Sequence, residues 1–164
     1  MNKTEEWANR KRNDGFCIVV DTREQLPYSW PGVPMVKKAL PIGDYSIFGL
    51  ENRIAVERKS HADFVSTVTQ DHQSFFAKVT AIVGGCSGSF WGLSHYMIVI
   101  EATAAALDAP MPWTRVSPAT VHANLIKLAA LGIPVWPAGS RARAAAWTLA
   151  YLRRAFEEIR GLHR

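Results

Sequence analysis

The sequence lacks the features of a membrane-spanning, secreted or disordered protein. No run of eighteen uncharged apolar residues occurs in its 164 residues, so no transmembrane helix is predicted. Residues 1–15 are charged throughout and contain no apolar core of a secretory signal. Only two cysteines are present, Cys17 and Cys86, and Cys17 lies in an apolar run typical of a buried thiol. We therefore expect a cytoplasmic protein of a prokaryotic or phage-infected cell, or a nuclear protein if the source is eukaryotic.

A histidine- or cysteine-based metal centre is not predicted either, because the five histidines and two cysteines do not have the spacing of metal ligands. The composition is that of a globular protein, with 48% hydrophobic and 20% charged residues. The length suits one domain, which we place at residues 16–164 after a polar arm at residues 1–15. The net charge of +5 permits a polyanionic partner without requiring one. The arginines after residue 140 either contact phosphates or form a solvated helix face.

The hydrophobic pattern predicts an α/β fold. Outside a central hairpin, strands are predicted at residues 16–21, 35–40, 95–101 and 133–136. Helices are predicted after Ser60, at 71–83, at 117–131 and at 140–160, with serine N-caps at three of their starts. The proline-rich segment 22–34 is predicted to be a loop that exposes Tyr28 and Trp30, and residues 103–116 are predicted to be irregular. We expect a three-layer sandwich with a central mixed β-sheet.

The central hairpin carries the chemistry of the sequence. Residues 44–48 and 53–58 alternate in polarity and flank a polar turn with Gly49. If the turn is centred on residues 50–51, Asp44 faces Glu57 with β-carbons about 4.5–5.5 Å apart. Two facing carboxylates repel unless a cation lies between them, and Lys59 falls on the same strand face as Glu57. This set suits metal-assisted phosphodiester hydrolysis, whereas a lone Asp–Glu pair on a hairpin is usually solvent-exposed.

Three motifs around this hairpin resemble the nuclease domain of the XPF/Hef structure-specific endonucleases. They are Asp21-Thr22-Arg23-Glu24, Gly43-Asp44-Tyr45 and Glu57-Arg58-Lys59-Ser60-His61-Ala62-Asp63. The resemblance runs from about Phe16 to the final helix. It implies the restriction-endonuclease-like fold, whose general site is an acid, a second acid and a lysine two residues on.

The resemblance also implies roles for these residues. Asp44 and Glu57 would be the principal ligands of Mg²⁺, for which Mn²⁺ would substitute, with Asp21 close by. Lys59 would position or deprotonate the attacking water, or stabilise charge on the phosphorus oxygens. The remaining motif residues, Arg58, Arg23, Glu24 and Asp63, are further site candidates. Of these, Arg58 lies on the opposite strand face and is expected to fix the sheet, a neighbouring acid or a phosphate.

Two departures from the family pattern limit what the resemblance implies. His72 stands where family members usually carry an arginine, so the phosphate contact of that arginine is not carried over. No tandem helix–hairpin–helix domain and no helicase domain accompany the nuclease domain, so a preference for flaps or forks is not carried over. Glu101 ends a buried strand and is either an auxiliary site residue or a strand cap.

The predicted function is a Mg²⁺-dependent DNA endonuclease that acts on branched, flapped or single-stranded DNA in repair, recombination or replication. The alternatives are a catalytically silent module of the same fold that binds DNA or dimerises, and a nuclease acting on RNA. Trp113, Trp136 and Trp147 fit core or interface packing better than base stacking. We expect a homodimer through the C-terminal strand and helices. The candidate contact residues are Leu125, Leu128, Leu131, Trp136, Trp147 and Tyr151.

Overall fold

A mixed β-sheet of short strands runs through the molecule, of which a computed structural model describes residues 15–84 and 93–161. The strands in these ranges are β1 (Ile18–Val20), β2 (Met35–Lys37), β3 (Tyr45–Ile47), β4 (Ile54–Lys59), β5 (His95–Ile100) and β6 (Val135–Pro137). Their order across the sheet is β2-β1-β3-β4-β5-β6. β3 is antiparallel to both of its neighbours, and the other pairs are parallel. The predicted arm before Gly15 and the predicted loop after Gly84 lie outside the described residues.

Helices cover both faces of this sheet. In the described ranges they are α1 (His61–Thr69), α2 (His72–Gly84), α3 (Ala104–Asp108), α4 (Pro118–Ala130) and α5 (Arg141–Ile159). Three of them begin as predicted after a serine whose hydroxyl accepts a backbone N–H from three residues on, namely Ser60, Ser117 and Ser140. Within the described ranges, no helix combines the length and the apolar character needed to cross a bilayer.

The sheet separates two apolar cores because its side chains alternate between faces. On one face, Ile54 and Val56 of β4 pack with Leu152 and Phe156 of α5. On the other face, Ala55 packs with residues of α1, α2 and α4. The predicted three-layer α/β sandwich with a central mixed sheet is therefore confirmed.

The hairpin of β3 and β4 has the predicted register. Tyr45 pairs with Val56, which sets Asp44 level with Glu57 at the next position. The preceding residue must be glycine: Gly43 has a φ of +75°, and a β-carbon there would lie 2.9 Å from the carbonyl oxygen of Val56. Gly43 thus lets the chain enter β3 against the β4 backbone and delivers Asp44 to the strand end.

The segment 22–34 is a loop, but the prediction that it exposes its aromatic residues is wrong. Tyr28 and Trp30 are buried. The Tyr28 ring stacks on Tyr45 with centroids 5.1 Å apart, and the Trp30 indole N–H donates to the carbonyl oxygen of Ala145 at 3.0 Å. Prolines prevented a helix or strand here without preventing burial, because the loop folds back over the sheet and α5.

Four smaller predictions also need correction. Residues 104–108 form helix α3, capped by the Thr103 hydroxyl, where irregular structure was predicted. Leu128, predicted on a dimer surface, is fully buried, because it lies on the face of α4 that packs on the sheet. Trp113, predicted to pack in the core or at an interface, is 54% exposed on the turn after α3, which excludes the core. Cys17 is only partly buried, because it directly precedes the buried run of β1.

Candidate active site

Two acids and two lysines converge at the end of the hairpin. Glu57, near the end of β4, is buried with 8% of its surface exposed. The Lys59 Nζ lies 3.0 Å from Oε1 of Glu57, and the Lys78 Nζ of α2 lies 3.2 Å from Oε2. Lys59 therefore shares a strand face with Glu57, as predicted. Asp44 and Glu57 are called the acid pair below.

Lys78 is the residue of this cluster that sequence reasoning missed. Its helix was predicted, and Phe75 and Val79 were correctly expected on the apolar side. The signal that could have identified Lys78 is its position one residue before Val79, at the edge of that buried stripe. Helix periodicity gives this edge position, but it does not say that α2 crosses beside Glu57, since that contact joins residues 21 positions apart.

The two members of the acid pair have opposite electrostatic environments. Burial, followed by the negative charge of Glu57, raises the pKa of Asp44 to about 7. Burial also opposes ionisation of Glu57, but Lys78 and Lys59 outweigh it, so the pKa of Glu57 lies below its usual value. Near neutral pH and without a further cation, Glu57 is charged and Asp44 is close to half protonated. A cation bound beside Asp44 would offset its repulsion by Glu57 and favour the ionised form of Asp44.

The donor atoms of the acid pair fit a hard divalent cation. Oδ2 of Asp44 accepts the backbone N–H of Arg58 at 2.7 Å, whereas Oδ1 receives no hydrogen bond from the described residues. Mg²⁺ characteristically binds through one or two carboxylates and keeps several waters, and Mn²⁺ accepts similar oxygen ligands. No group of three or more His, Cys, Asp or Glu side chains within the described ranges has a metal-holding arrangement. The acid pair would therefore supply two carboxylates, with water and phosphate completing the coordination.

Asp21 is adjacent to the acid pair through the backbone, while its carboxylate has other partners. The Asp21 N–H donates to the carbonyl oxygen of Asp44 at 2.9 Å. The Asp21 carboxylate accepts the backbone N–H and the guanidinium of Arg23, and it also accepts the backbone N–H of Leu40 at 2.6 Å. These hydrogen bonds outweigh the effect of burial and lower the pKa of Asp21. Asp21 fixes the loop after β1, and its metal-binding role stays a prediction.

Arg23 brings positive charge to the edge of the site. Its pKa is raised, first by the hydrogen bond to Asp21 and further by the charges of Asp44 and Glu57. Its side chain is 72% exposed. An exposed guanidinium that feels both acids is well placed to contact a phosphate, although Arg23 touches neither acid directly in the described contacts.

Arg58 lies on the opposite face of β4 and fixes a neighbouring acid, as predicted. Its guanidinium binds Glu101 with two hydrogen bonds, of 2.8 and 3.1 Å. Glu101 also accepts the Tyr28 hydroxyl at 2.9 Å and Arg141 at 3.1 Å, and we call these four residues the Glu101 cluster. Glu24 approaches Arg58 at 3.4 Å. The Glu101 cluster ties β4, β5, the loop after β1 and α5 together behind the acid pair.

Asp63 and His72 are not brought into contact with the acid pair in the described structure. Asp63 is exposed and exchanges hydrogen bonds with its N-cap: the Ser60 hydroxyl donates to Oδ2 at 2.7 Å, and the Asp63 N–H donates back to Ser60 at 3.1 Å. The ring of His72 packs on Phe76 with centroids 4.6 Å apart. The structure therefore places Asp63 in a helix cap and His72 on the flank of α2.

Comparisons with known proteins agree with this architecture. The ERCC4 domain matches residues 20–151 of the chain. XPF from Aeropyrum pernix is similar in structure, with a TM-score of 0.59, 21% identity and coverage of 84% of this chain and 59% of that chain. XPF from Aeropyrum pernix in complex with DNA gives a TM-score of 0.61, 22% identity and coverage of 88% and 66%. The chain thus spans less than two thirds of the length of either of these XPF chains. The comparison with curated proteins finds no match.

Proposed function

The chain belongs to the ERCC4 domain family, and from that premise we propose that it is a metal-dependent DNA endonuclease acting through Asp44, Glu57 and Lys59. The observation that carries this proposal is the acid pair at the end of the hairpin. It places the buried carboxylate of Glu57 beside the partly buried carboxylate of Asp44, and the pKa of Asp44 is raised. Stability alone does not favour such an arrangement, whereas binding of a divalent cation and a phosphodiester does.

The chain's own residues divide the work of hydrolysis. Asp44 and Glu57 would hold Mg²⁺, which when bound supplies Lewis acidity and a water of lowered pKa. Lys59 reaches the same point from β4 and carries a positive charge beside Glu57. It orients the attacking water or stabilises negative charge on the phosphorus oxygens. The water oxygen bonds to phosphorus and releases a proton, while the bond from phosphorus to the 3′-oxygen breaks and that oxygen takes up a proton from solvent. The products are a 5′-phosphate and a 3′-hydroxyl.

The proposed substrates are branched, flapped or single-stranded DNA, in repair, recombination or replication. The test uses labelled flap, fork, junction and single-stranded oligonucleotides with Mg²⁺ or Mn²⁺, and an EDTA control. Cleavage that leaves 5′-phosphate ends is expected, together with a rise in melting temperature when Mn²⁺ is added without DNA. A protein that cuts none of these substrates and shows no thermal shift with Mn²⁺ is not a metal-dependent DNA endonuclease.

We further propose that the protein forms a homodimer through β6, α4 and α5. Trp136 and Trp147 stack on each other with centroids 4.8 Å apart and remain 43% and 41% exposed. Leu125, Leu131 and Tyr151 are half-buried, while Leu128 belongs to the core. Exposed stacked indoles supply a large apolar surface at low entropic cost, which suits the centre of an interface.

A further inference from the structure

The turn between α3 and α4 presents an indole to solvent. Trp113 is 54% exposed, more than the mutually stacked Trp136 and Trp147. Its ring stands at 88° to that of His61, with centroids 4.9 Å apart. The turn is held in place, because the Thr114 N–H donates to the carbonyl oxygen of Met111 at 3.2 Å and Met111 is buried in the core. Trp113 is therefore an aromatic side chain that is held in place by the turn and by His61, with about half of its surface open to solvent.

This indole lies at the end of the sheet that carries the active site. His61, its ring partner, is the first residue of α1 and lies two residues beyond Lys59. Two residues of chain span at most about 7 Å, so the backbone of His61 lies close to the backbone of Lys59. The Glu101 N–H donates to the carbonyl oxygen of Lys59 at 2.9 Å, which brings the start of the α3 segment to the same edge. Ligands of open α/β sheets bind outside the carboxyl ends of such strands.

A free positive charge accompanies the indole. Arg115 is exposed two residues after Trp113 and forms no ion pair within residues 15–84 and 93–161. The acids that flank this segment are already engaged, Glu101 with Arg58 and Asp108 with His122. A strand of DNA approaching here would meet no unpaired carboxylate from these two positions.

We propose that Trp113 and Arg115 form a subsite for an unpaired DNA strand next to the scissile phosphate, with a base stacked on the indole and a phosphate bound by the guanidinium. An aromatic platform beside a cationic group is the arrangement with which proteins hold single strands without reading their sequence. Within a duplex both faces of a base are covered by the neighbouring base pairs, so the base that stacks on the indole belongs to a single strand. This inference rests on the proposed DNA endonuclease function and names which part of the substrate is gripped.

The test measures the affinity of a labelled oligothymidylate of about twelve nucleotides, a length within the usual range of single-strand sites. Fluorescence anisotropy is recorded in EDTA with cleavage-deficient Asp44→Asn protein, and a blunt duplex is measured in parallel. Trp113→Ala is expected to weaken oligothymidylate binding about tenfold and to leave duplex binding within about twofold, since one stacked base contributes roughly 1–3 kcal/mol. Trp113→Phe should keep most of the affinity. Arg115→Gln should lower the salt slope by about one.

The matched control is Phe48→Ala. Phe48 is an aromatic side chain of similar exposure, 57%, that follows β3 at the opposite end of the hairpin from Lys59. The Phe48→Ala variant should bind oligothymidylate with the same affinity as the parent protein. A second measurement needs no variant at Trp113: oligothymidylate carrying 5-iodouracil, irradiated on the protein, should cross-link to Trp113 as identified by mass spectrometry.

The outcomes separate this inference from the proposed function. If the protein cuts DNA but Trp113→Ala binds oligothymidylate as tightly as the parent, or the cross-link falls elsewhere, the subsite is refuted and the endonuclease stands. If the protein cuts duplex DNA and does not bind oligothymidylate, the subsite is again refuted alone. If it neither binds nor cuts any DNA, both proposals fall together.

Discussion

Asp44 and Glu57 share one hairpin, yet Lys59 and Lys78 both contact Glu57. The charge on Asp44 is therefore compensated less well than that on Glu57, and burial makes this costly. A cation bound beside Asp44 would compensate this charge, so the uncompensated carboxylate favours cation binding. The same arrangement makes Asp44 the residue whose substitution separates activity from stability.

Asp44→Asn should abolish cleavage and raise stability at pH 8 in metal-free buffer. Asparagine keeps an oxygen that accepts the Arg58 N–H but removes the charge that repels Glu57. We expect a gain of roughly 1–2 kcal/mol in the free energy of unfolding, allowing for partial solvent screening of a shift worth about 1.4 kcal/mol per pKa unit. Urea denaturation and a cleavage assay measure the two effects. A variant that loses stability at pH 8 would show that the carboxylate is stabilising.

The pH dependence of stability follows from the same residue. The pKa of Asp44 is raised to about 7 in the folded protein, from 3.8 as its ordinary value. Its protonated form therefore favours folding at low pH, and this contribution is lost as pH rises through 7. The difference between Asp44→Asn and the parent should be small near pH 4 and largest above pH 7. Parallel melting curves across this range give the measurement, and a difference independent of pH would contradict the assignment to Asp44.

At the scale of elements, α2 meets the hairpin through Lys78, whose side chain is 37% exposed. Lys78→Ala leaves one oxygen of Glu57 without its lysine. Since a lysine and a metal ion compete for the same carboxylate, we expect the variant to bind Mn²⁺ several-fold more tightly, which calorimetry in the absence of DNA would detect.

Lys38→Ala is the control for Lys78→Ala, because Lys38 pairs with Glu51 at 2.6 Å on the hairpin turn, away from the acid pair. It should leave Mn²⁺ affinity unchanged. Weaker Mn²⁺ binding by Lys78→Ala would mean that Lys78 organises Glu57 for the metal instead of competing with it.

Gly43 joins β3 to the acid pair, and its replacement should disturb both the hairpin and the position of Asp44. Gly43→Ala forces a β-carbon within 2.9 Å of the Val56 carbonyl oxygen at a φ of +75°, so we expect a loss of about 2–4 kcal/mol together with displacement of Asp44. Gly49→Ala is the matched control, since its φ is +81° but open space surrounds it. It should cost about 1 kcal/mol and leave cleavage intact. Chemical denaturation and cleavage rates test both; equal losses in the two variants would exclude the steric cause.

The hairpin and the loop after β1 show what the sequence can predict. The register of Asp44 and Glu57 followed from alternation and a short turn, which are local properties. The burial of Tyr28 and Trp30 and the contact of Lys78 with Glu57 did not follow, because they depend on how distant elements pack. The exposure of Trp113 was missed for the same reason: an aromatic residue on a loop is compatible with either environment until its neighbours are placed.

At the scale of the whole molecule, association through Trp136 and Trp147 is the property to test. Trp147→Glu places a charge on the half-exposed α5 face beside Trp136 without entering the core. Light scattering at micromolar concentration should show a dimer for the parent and a monomer for this variant, with circular dichroism unchanged. Val83→Glu, at a 49% exposed position of α2, is the control for a charge added outside the proposed interface. A monomeric parent protein would contradict the homodimer.

The Glu101 cluster has a consequence for how the molecule is made. The acid pair is joined by a hairpin and is local in sequence, whereas the hydrogen bonds of Glu101 span 73 residues to Tyr28 and 40 to Arg141. Contacts between residues far apart in sequence form late in folding, because the intervening chain must be ordered first. During synthesis, the two acids of the acid pair can therefore meet well before the Glu101 cluster behind them has formed. Its last member, Arg141, is part of α5, so a chain still emerging from the ribosome holds the acid pair without a complete Glu101 cluster until α5 has been translated.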